Sequence, residues 1–329
     1  MLDQIMLSPS EQNVLGRGGE HHLLPGTGSK SAILRDCGLR YIVNEEATQQ
    51  CFELIRSDSG ILDPANELLR LPAEYFWVEW LSENYAQSPD GHRLGALIEA
   101  SPDGRSGMVT GFWQDYEGAP QVAMAVITFD LDYELFPPPG SRRILRLRHG
   151  VLPHLGPLFG HMLFHINPAW ANYVRLEDPH GYDGRLRAQA EAGWFNVPFI
   201  LVFAAMLNSE GILERRSADL VKLNSARVRR GRQPLLDHIE VSLSLGVGTR
   251  AGDDNLRVGG RIAPRLHHVR GHTVRRGSSI FWRSSHLRGN AERPILRKTV
   301  KVSAPPKTAG NGEHPTSTGP SFQYSPARL

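Results

Sequence analysis

Four histidines and six arginines crowd into the 25 residues from Arg265 to Gly289, RLHHVRGHTVRRGSSIFWRSSHLRG. Histidine is the side chain best placed to bind a metal or move a proton near neutral pH. Arginine is the side chain whose planar fork grips phosphate. Zinc requires three or four converging ligands. His268, His272 and His286 form the only candidate set, but no cysteine or carboxylate accompanies them in the stretch and its six arginines repel a cation. No metal is therefore expected. A histidine-dependent hydrolase requires a base within reach of a nucleophile or a metal. The nearest carboxylates are Glu240, Asp253 and Asp254, and neither an HNH nor an H-x-K spacing is present. His268, His272 and His286 stand as secondary catalytic candidates. Phosphate binding asks only for cations, backbone amides and a stacking ring, which Arg270, Arg275, Arg276, Arg283, Arg288 and Trp282 can supply. The plainest reading is a structural hairpin whose charges are solvated or paired with acids elsewhere.

The element that must carry these residues is a β-hairpin, since RRGSS lies between two alternating runs. A two-residue turn at Gly277–Ser278 pairs Thr273 with Trp282 and Gly271 with Ser284, so that Trp282 lies diagonally over Gly271. His268, Arg270, His272 and Val274 then share one face, and His267, Val269 and Gly271 the other. The histidines are divided, which argues against one site made of all four. A second basic cluster closes the segment SADLVKLNSARVRRGRQP. Here Ser217 and Asp219 start a helix, Arg227, Arg229 and Arg230 occupy its last turn, Gly231 caps it and Pro234 blocks continuation. Cations in a last turn suit the helix dipole, but Arg229, Arg230 and Arg232 exceed what capping requires.

Two further sets carry chemistry-bearing residues. In GHMLFHINP, His161 and His165 share the four-residue spacing of one helix face. The segment lacks the glutamate of H-E-x-x-H, so core or interface histidines are expected. Glu79 in FWVEW and Asp130 and Asp132 in FDLD are strand carboxylates that either converge on Mg²⁺ or sit apart at exposed strand ends. Cys37 and Cys51, the only cysteines, make no disulfide framework and lack ligand spacing, which suits a reducing, cytosolic compartment. No phosphate-binding glycine loop, G-x-S-x-G elbow or kinase signature is present, and no cofactor is implied.

The chain has 329 residues, 40% of them hydrophobic and 22% charged, as in a globular protein of one or two domains with a substantial core. Its net charge of +3 conceals a division. Residues 1–214 hold 15 Lys+Arg against 27 Asp+Glu, and residues 215–301 hold 20 against 6. A basic region of this kind either faces a polyanion or lies on the acidic half of its own fold. Residues 1–30, rich in Gly, Ser and Pro, read as a flexible arm. Residues 31–214 read as an acidic α+β region. Within it, Glu45–Arg56 and PANELLRL are helical, a strand meander spans about 74–134 and is closed by FPPPG, and helices occupy about 155–210. The second half of RRILRLRHGVLPHLGPLFGHMLFHINPAW reads as a helix ending before Pro168. The helix around Ala192–Leu207 is expected to bend at Pro198. Its apolar run of 16 residues is short of the ~20 needed to span a bilayer, so a buried core helix rather than a membrane segment is expected, and no secretory leader is visible. Residues 215–302 read as a basic helix-plus-hairpin module that includes the strand LLDHIEVSLSLG, and residues 303–329 as a disordered tail. The fold class is α+β, with a largely antiparallel sheet, a helical middle segment and a C-terminal basic hairpin.

The C-terminal third resembles a module recurrent in phage and prophage proteins. Its pattern is a helix ending R-x-x-x-G-x-x-P, followed by H-x-x-R-G-H and a later W and R-G. Here it falls on Arg227, Gly231, Pro234, His267, Arg270, Gly271, His272, Trp282, Arg288 and Gly289. The likeness is good over residues 215–302 and slight elsewhere, around Leu71–Trp80. It implies a mobile-element origin and brings no established activity. Three functions stay open. The first is a non-enzymatic accessory protein whose basic surface, with Arg227, Arg229, Arg230 and Arg232 beside the hairpin arginines, binds nucleic acid in the cytoplasm. The second is a metal- or histidine-dependent hydrolase. The third is a structural or protein-binding role. The oligomeric state is not readable from the sequence.

Overall fold

The computed structural model describes residues 1–7, 12–15, 22–58, 60–81, 93–114, 118–139, 144–145, 156–244, 267–269, 272–276, 279–283 and 286–288. The chain divides into two units, Met1–Val247 with His272–Arg283, and Gly248–Gly271 with Ser284–Leu329.

The first unit begins with α1 (Leu2–Leu7), the hairpin β1 (Gln12–Leu15) and β2 (His22–Pro25), a 3₁₀ turn at Thr27–Lys30, and α2 (Ser31–Asp36). There follow β3 (Leu39–Val43), α3 (Glu45–Ser57), β4 (Tyr75–Leu81), β5 (Arg93–Ala100), β6 (Ser106–Gln114) and β7 (Pro120–Asp130). The remainder is β8 (Ile144–Leu145), α4 (Gly156–Gly160), β9 (Met162–Ile166), α5 (Pro168–Glu177), α6 (Tyr182–Gly193), α7 (Asn196–Leu207), β10 (Leu213–Ser217), α8 (Val221–Arg229) and β11 (Ile239–Leu243). Nine strands form one sheet in the order β10-β11-β3-β4-β5-β6-β7-β9-β8. Only β11–β3 and β3–β4 are parallel, so the class is α+β with a mostly antiparallel sheet. The meander β4–β7 falls where alternation and turn residues put it. At its SPDG turn Gly104 adopts φ +71, a backbone that glycine takes without strain. After Asp130 the segment through Pro137–Pro139 adds no strand.

Alternation along β4 assigns two cores. Phe76, Val78 and Trp80 face α3 and α7: Trp80 stacks on Phe199 at 4.3 Å, and Tyr41 meets Phe76 and Phe203 edge-on. Trp77 and Glu79 face the other way, where Trp77 packs against Phe112 at 5.2 Å. On that side Gly95 leaves no room for a Cβ, which would lie 2.5 Å from the Trp77 ring. The sheet is therefore covered on both faces, and α7 is buried at ten of its twelve positions. The helical stretch Tyr182–Leu207 is long and apolar enough to cross a bilayer, and 67% of its apolar window is buried inside the protein.

Several local expectations are corrected. Residues 1–7 are no loose arm: Leu2 and Ile5 are buried and the Met1 amine sits on Glu79 at 3.1 Å. PANELLRL forms consecutive turns rather than a helix, because Asp63 and Asn66 turn their side chains onto nearby backbone N–H groups and so compete with helical bonding. The segment before Pro168 is mainly strand β9. The helix starts at Pro168, with Asn167 accepting from Ala169 and Trp170 N–H. Helices α6 and α7 part at Trp194–Phe195, ahead of Pro198. Proline thus sits in the first turn of α7, where a missing N–H costs nothing. Ser217 ends β10, and α8 starts at Val221 with no side-chain cap.

The basic hairpin comprises β13 (His272–Arg276) and β14 (Ser279–Arg283), and the second unit holds β12 (His267–Val269) paired with β15 (His286–Arg288). Thr273 pairs with Trp282, as expected, and Arg276 with Ser279, which leaves two residues between the paired ends. The expected arm residues 8–11 and 16–21, the tail 303–329, and Arg265, Arg270, Gly271, Asp253 and Asp254 lie outside the described residues.

Candidate polyanion-binding surface

The segment from Arg215 to Ser244 starts on the edge strand β10 and carries seven Lys+Arg against three Asp+Glu. Pairing with β11 in antiparallel register sets β10, and strand alternation sends Arg215 and Arg216 to opposite faces. Arg216 meets Glu214 at 3.1 Å, the pair being exposed. Helix α8 has no buried residue and is held instead by hydrogen bonds. Asn224 accepts from Leu235 N–H at 2.8 Å and donates to Leu235 carbonyl at 3.0 Å, tying the helix to the returning chain. Arg227 Nε donates to the Gln233 carbonyl at 2.8 Å. Gly231, at φ +67, takes the left-handed position that ends the helix and donates to the Val228 carbonyl. The R-x-x-x-G-x-x-P spacing is thus a closed loop in which Arg227 and Gly231 shape the backbone.

Arg227 also faces inward electrostatically. Burial holds the Asp3 carboxyl above its ordinary range, and the charges of His238, the N-terminal amine and Arg227 pull it back. The cations left outside are Lys222, Arg229, Arg230 and Arg232, all exposed. Lys222 and Arg229 lie seven apart on one helix face. Arg229 Nε reaches only the Ser225 carbonyl, at 3.4 Å. Among the described residues none of these four has a carboxylate partner. The ion pairs described are Met1–Glu79, Lys30–Glu99, Arg93–Glu79, Arg105–Asp132 and Arg216–Glu214, and of these only the exposed Arg216–Glu214 pair joins the basic segment to the acidic residues of 31–214. Exposed Val221 and Val228 flank the cations.

The hairpin residues are fixed at the level of register. Arg275 pairs with Ile280, Arg276 with Ser279 and Arg283 with His272; Arg288 pairs with His267. His268 pairs with Leu287 and His286 with Val269, so these two hold neighbouring rather than facing positions, and His272 belongs to a different strand pair. The expected set of His268, His272 and His286 is not brought together as cross-strand partners.

The other candidates separate too. His161 and His165 lie at and on β9, not on a helix. Four residues apart along a strand, they are about 13 Å from each other. His161 Nδ1 meets the Asp130 carbonyl at 2.6 Å and His165 Nε2 meets Thr128 Oγ1 at 2.8 Å. Glu79, Asp130 and Asp132 do not converge. Glu79 is 2% exposed and accepts from the Met1 amine, Leu2 N–H and Arg93. Asp130 accepts from the N–H groups of Asp132 and Tyr133, and Asp132 pairs with Arg105 at 2.7 Å. Among the described residues no three His, Cys, Asp or Glu side chains are grouped to hold a metal. Glu240 lies on β11, opposite Arg216. Cys37 and Cys51 are buried free thiols. Sequence reasoning missed Arg40, which is 9% exposed and spends its guanidinium on the carbonyls of Leu34, Arg35 and Asp237. No local pattern announces a role in which one of the three partners, Asp237, lies 197 residues away. No family model, curated protein or solved structure matches the chain.

Proposed function

We propose that this is a non-enzymatic accessory protein of a phage or other mobile element, and that its basic C-terminal surface binds nucleic acid in the host cytosol. The observation that carries the reading is the set Lys222, Arg229, Arg230 and Arg232, exposed on α8 and its capping loop with no carboxylate partner among the described residues. Charges meant to dock on the acidic half of the same fold would be paired there. These project into solvent, the arrangement that takes up phosphates with release of counterions. By residue type, Arg275, Arg276 and Arg283 of β13 and β14 are further cations and Trp282 is a residue that can stack on bases; Arg288, in β15 of the second unit, is a cation of the same kind. The mobile-element assignment rests on the resemblance of residues 215–302.

The test is binding to random-sequence duplex and single-stranded DNA and RNA over a salt titration. The logarithm of affinity should fall linearly with the logarithm of salt, by about 0.9 per phosphate contacted on duplex DNA. Replacing Lys222, Arg229, Arg230 and Arg232 together with alanine should weaken binding to all sequences alike and reduce the slope by roughly three to four. No binding at low salt, or a slope unchanged by the quadruple substitution, removes the reading.

A further inference from the structure

Strand β10 ends the nine-stranded sheet, and among the described residues no strand pairs with its outer side. The direction of its backbone groups is fixed by the bonds at its two ends. Ser244 N–H donates to the Ile212 carbonyl at 2.8 Å, and Ala218 N–H donates to the His238 carbonyl at 3.0 Å. Between them, Leu213 to Ser217 pair with Leu243 to Ile239 in unbroken antiparallel register. In such a ladder, residues bonded to the partner strand alternate with residues whose N–H and C=O turn the other way. Ile212, Glu214, Arg216 and Ala218 therefore bond toward β11, and Leu213, Arg215 and Ser217 turn their backbone N–H and C=O outward. The strand is exposed from Glu214 to Ser217, so this row of donors and acceptors is open to another strand.

Charges on an edge strand ordinarily discourage such pairing. In β10 they discourage the neighbouring registers and favour one. A two-fold axis that lays two β10 strands antiparallel in one sheet keeps each side chain on its own face, and so passes through a residue rather than between two. An axis at Glu214 sets that carboxylate against its own copy, and an axis at Arg216 does the same with the guanidinium. Like charges directly opposite are destabilising. An axis at Arg215 pairs all five residues of the strand. It also sets Glu214 of each copy opposite Arg216 of the other, in the non-hydrogen-bonded positions where Cα atoms approach to about 4.5 Å. Glu214 and Arg216 already meet at 3.1 Å within one chain, with side chains 55% and 75% exposed. Two such pairs close head to tail into a network of alternating charge. The cost falls on the opposite face, where Arg215 meets its own copy.

We propose that the outer edge of β10 joins two copies of this chain, strand against strand, about a two-fold axis at Arg215. Arg215 N–H donates to the Arg215 carbonyl of the other copy, Leu213 N–H to the Ser217 carbonyl and Ser217 N–H to the Leu213 carbonyl, each bond being made twice. One short strand is a small interface, so the dimer is weak and reversible and forms at high protein concentration. None of Lys222, Arg229, Arg230 and Arg232 takes part in it.

The test is sedimentation of the full, nucleic-acid-free chain from low to high micromolar concentration, where the average mass should rise from one chain toward two. Glu214→Arg and Arg216→Glu should each weaken association about ten- to thirty-fold, because each sets like charges opposite one another twice. An equimolar mixture of the two variants should associate again, since every opposed pair is then one arginine and one glutamate. Arg215→Thr removes the like-charge contact and should tighten the dimer about two- to five-fold. A chain that stays single at the highest concentration, or association unchanged in both charge variants, overturns the interface. Failure of the mixture to associate overturns the pairing of Glu214 with Arg216, and weaker association of Arg215→Thr overturns the position of the axis. Amide exchange in the unsubstituted protein decides the matter even if a variant fails to fold. Raising the concentration should slow exchange at Leu213, Arg215 and Ser217 and leave Glu214 and Arg216, already bonded to β11, as they were; no slowing at the first three overturns the proposal.

Discussion

Helices α7 and α8 differ little in length and entirely in how they are held. α7 buries ten of twelve residues between the sheet and α3, where Phe199 touches both Phe52 and Trp80. α8 buries none and is fixed by Asn224 on Leu235, Arg227 on Gln233 and a glycine cap. The first arrangement converts apolar area into stability and leaves no side chain free for anything else. The second leaves its outer side chains with no structural duty. Under the proposed function, binding and stability can therefore be changed separately at α8, whereas at α7 every substitution is first a change in stability.

The largest expected effect tests the packed side. Phe199→Ala should cost about 3–5 kcal/mol of unfolding free energy in urea, as for a buried aromatic; a loss under about 1 kcal/mol would mean that α7 is not the keystone described. Glu79→Gln should follow at about 3 kcal/mol, because it leaves the buried Met1 amine and Arg93 facing a neutral amide. Asn224→Ala should cost about 1–3 kcal/mol, for two bonds to one backbone unit, and amide exchange should rise over residues 221–236 before it rises anywhere in α7. Lys222→Ala, Arg229→Ala, Arg230→Ala and Arg232→Ala should each stay within about 0.5 kcal/mol of the parent, even as they change the salt slope of binding. A large stability loss from these four would place them in the fold and collapse the contrast between the two helices.

The smallest effect is a pH dependence. Burial lowers the pKa of His165 from its ordinary 6.5, so the unfolded chain binds the proton more tightly than the folded one. The stability contributed by this group is present above pH 6.5 and is lost as pH falls through and below that value. The melting temperature should drop between pH 6.5 and 5, and His165→Gln should drop less over the same interval. An identical slope in the variant would show that the imidazole is as well solvated folded as unfolded.

The strands β4–β7 were legible because each carries its own signal: alternation, aromatic and β-branched residues, and a turn at its end. The register of Thr273 with Trp282 was legible for the same reason. β3, β9 and β10 were not. LRYIV is too short to show a period, MLFHI is apolar on both faces except at His165 and so does not alternate, and LERRS is an exposed edge with nothing to bury. The role of Glu79 was misjudged because its partners, the Met1 amine and Leu2 N–H, come from a segment read as a loose arm. The glycine stop after α8 was read correctly, while its N-cap was placed on Ser217, three residues before Leu220; the residue type of Ser217 suits a cap, but it is held in β10. Of the basic residues, the sequence showed which were in excess. It did not show that Arg227 bonds within its own loop while Lys222, absent from the expected set, points outward with Arg229.

The parallel pairing of β3 also has a consequence in time. Its inner neighbour β4 emerges soon after it, but its outer neighbour β11 is paired through Val43 and Val241, about 200 residues apart. At about 5–20 residues per second, β3 waits roughly 10–40 s with one row of backbone N–H and C=O groups unpaired and with Tyr41 and Val43 awaiting their cover. An open edge of this kind is a template for another chain. The nascent protein is most exposed to self-association while α6, α7 and α8 are being made, and a chain truncated before Ile239 should carry that open edge permanently and accumulate as aggregate rather than as a smaller folded domain.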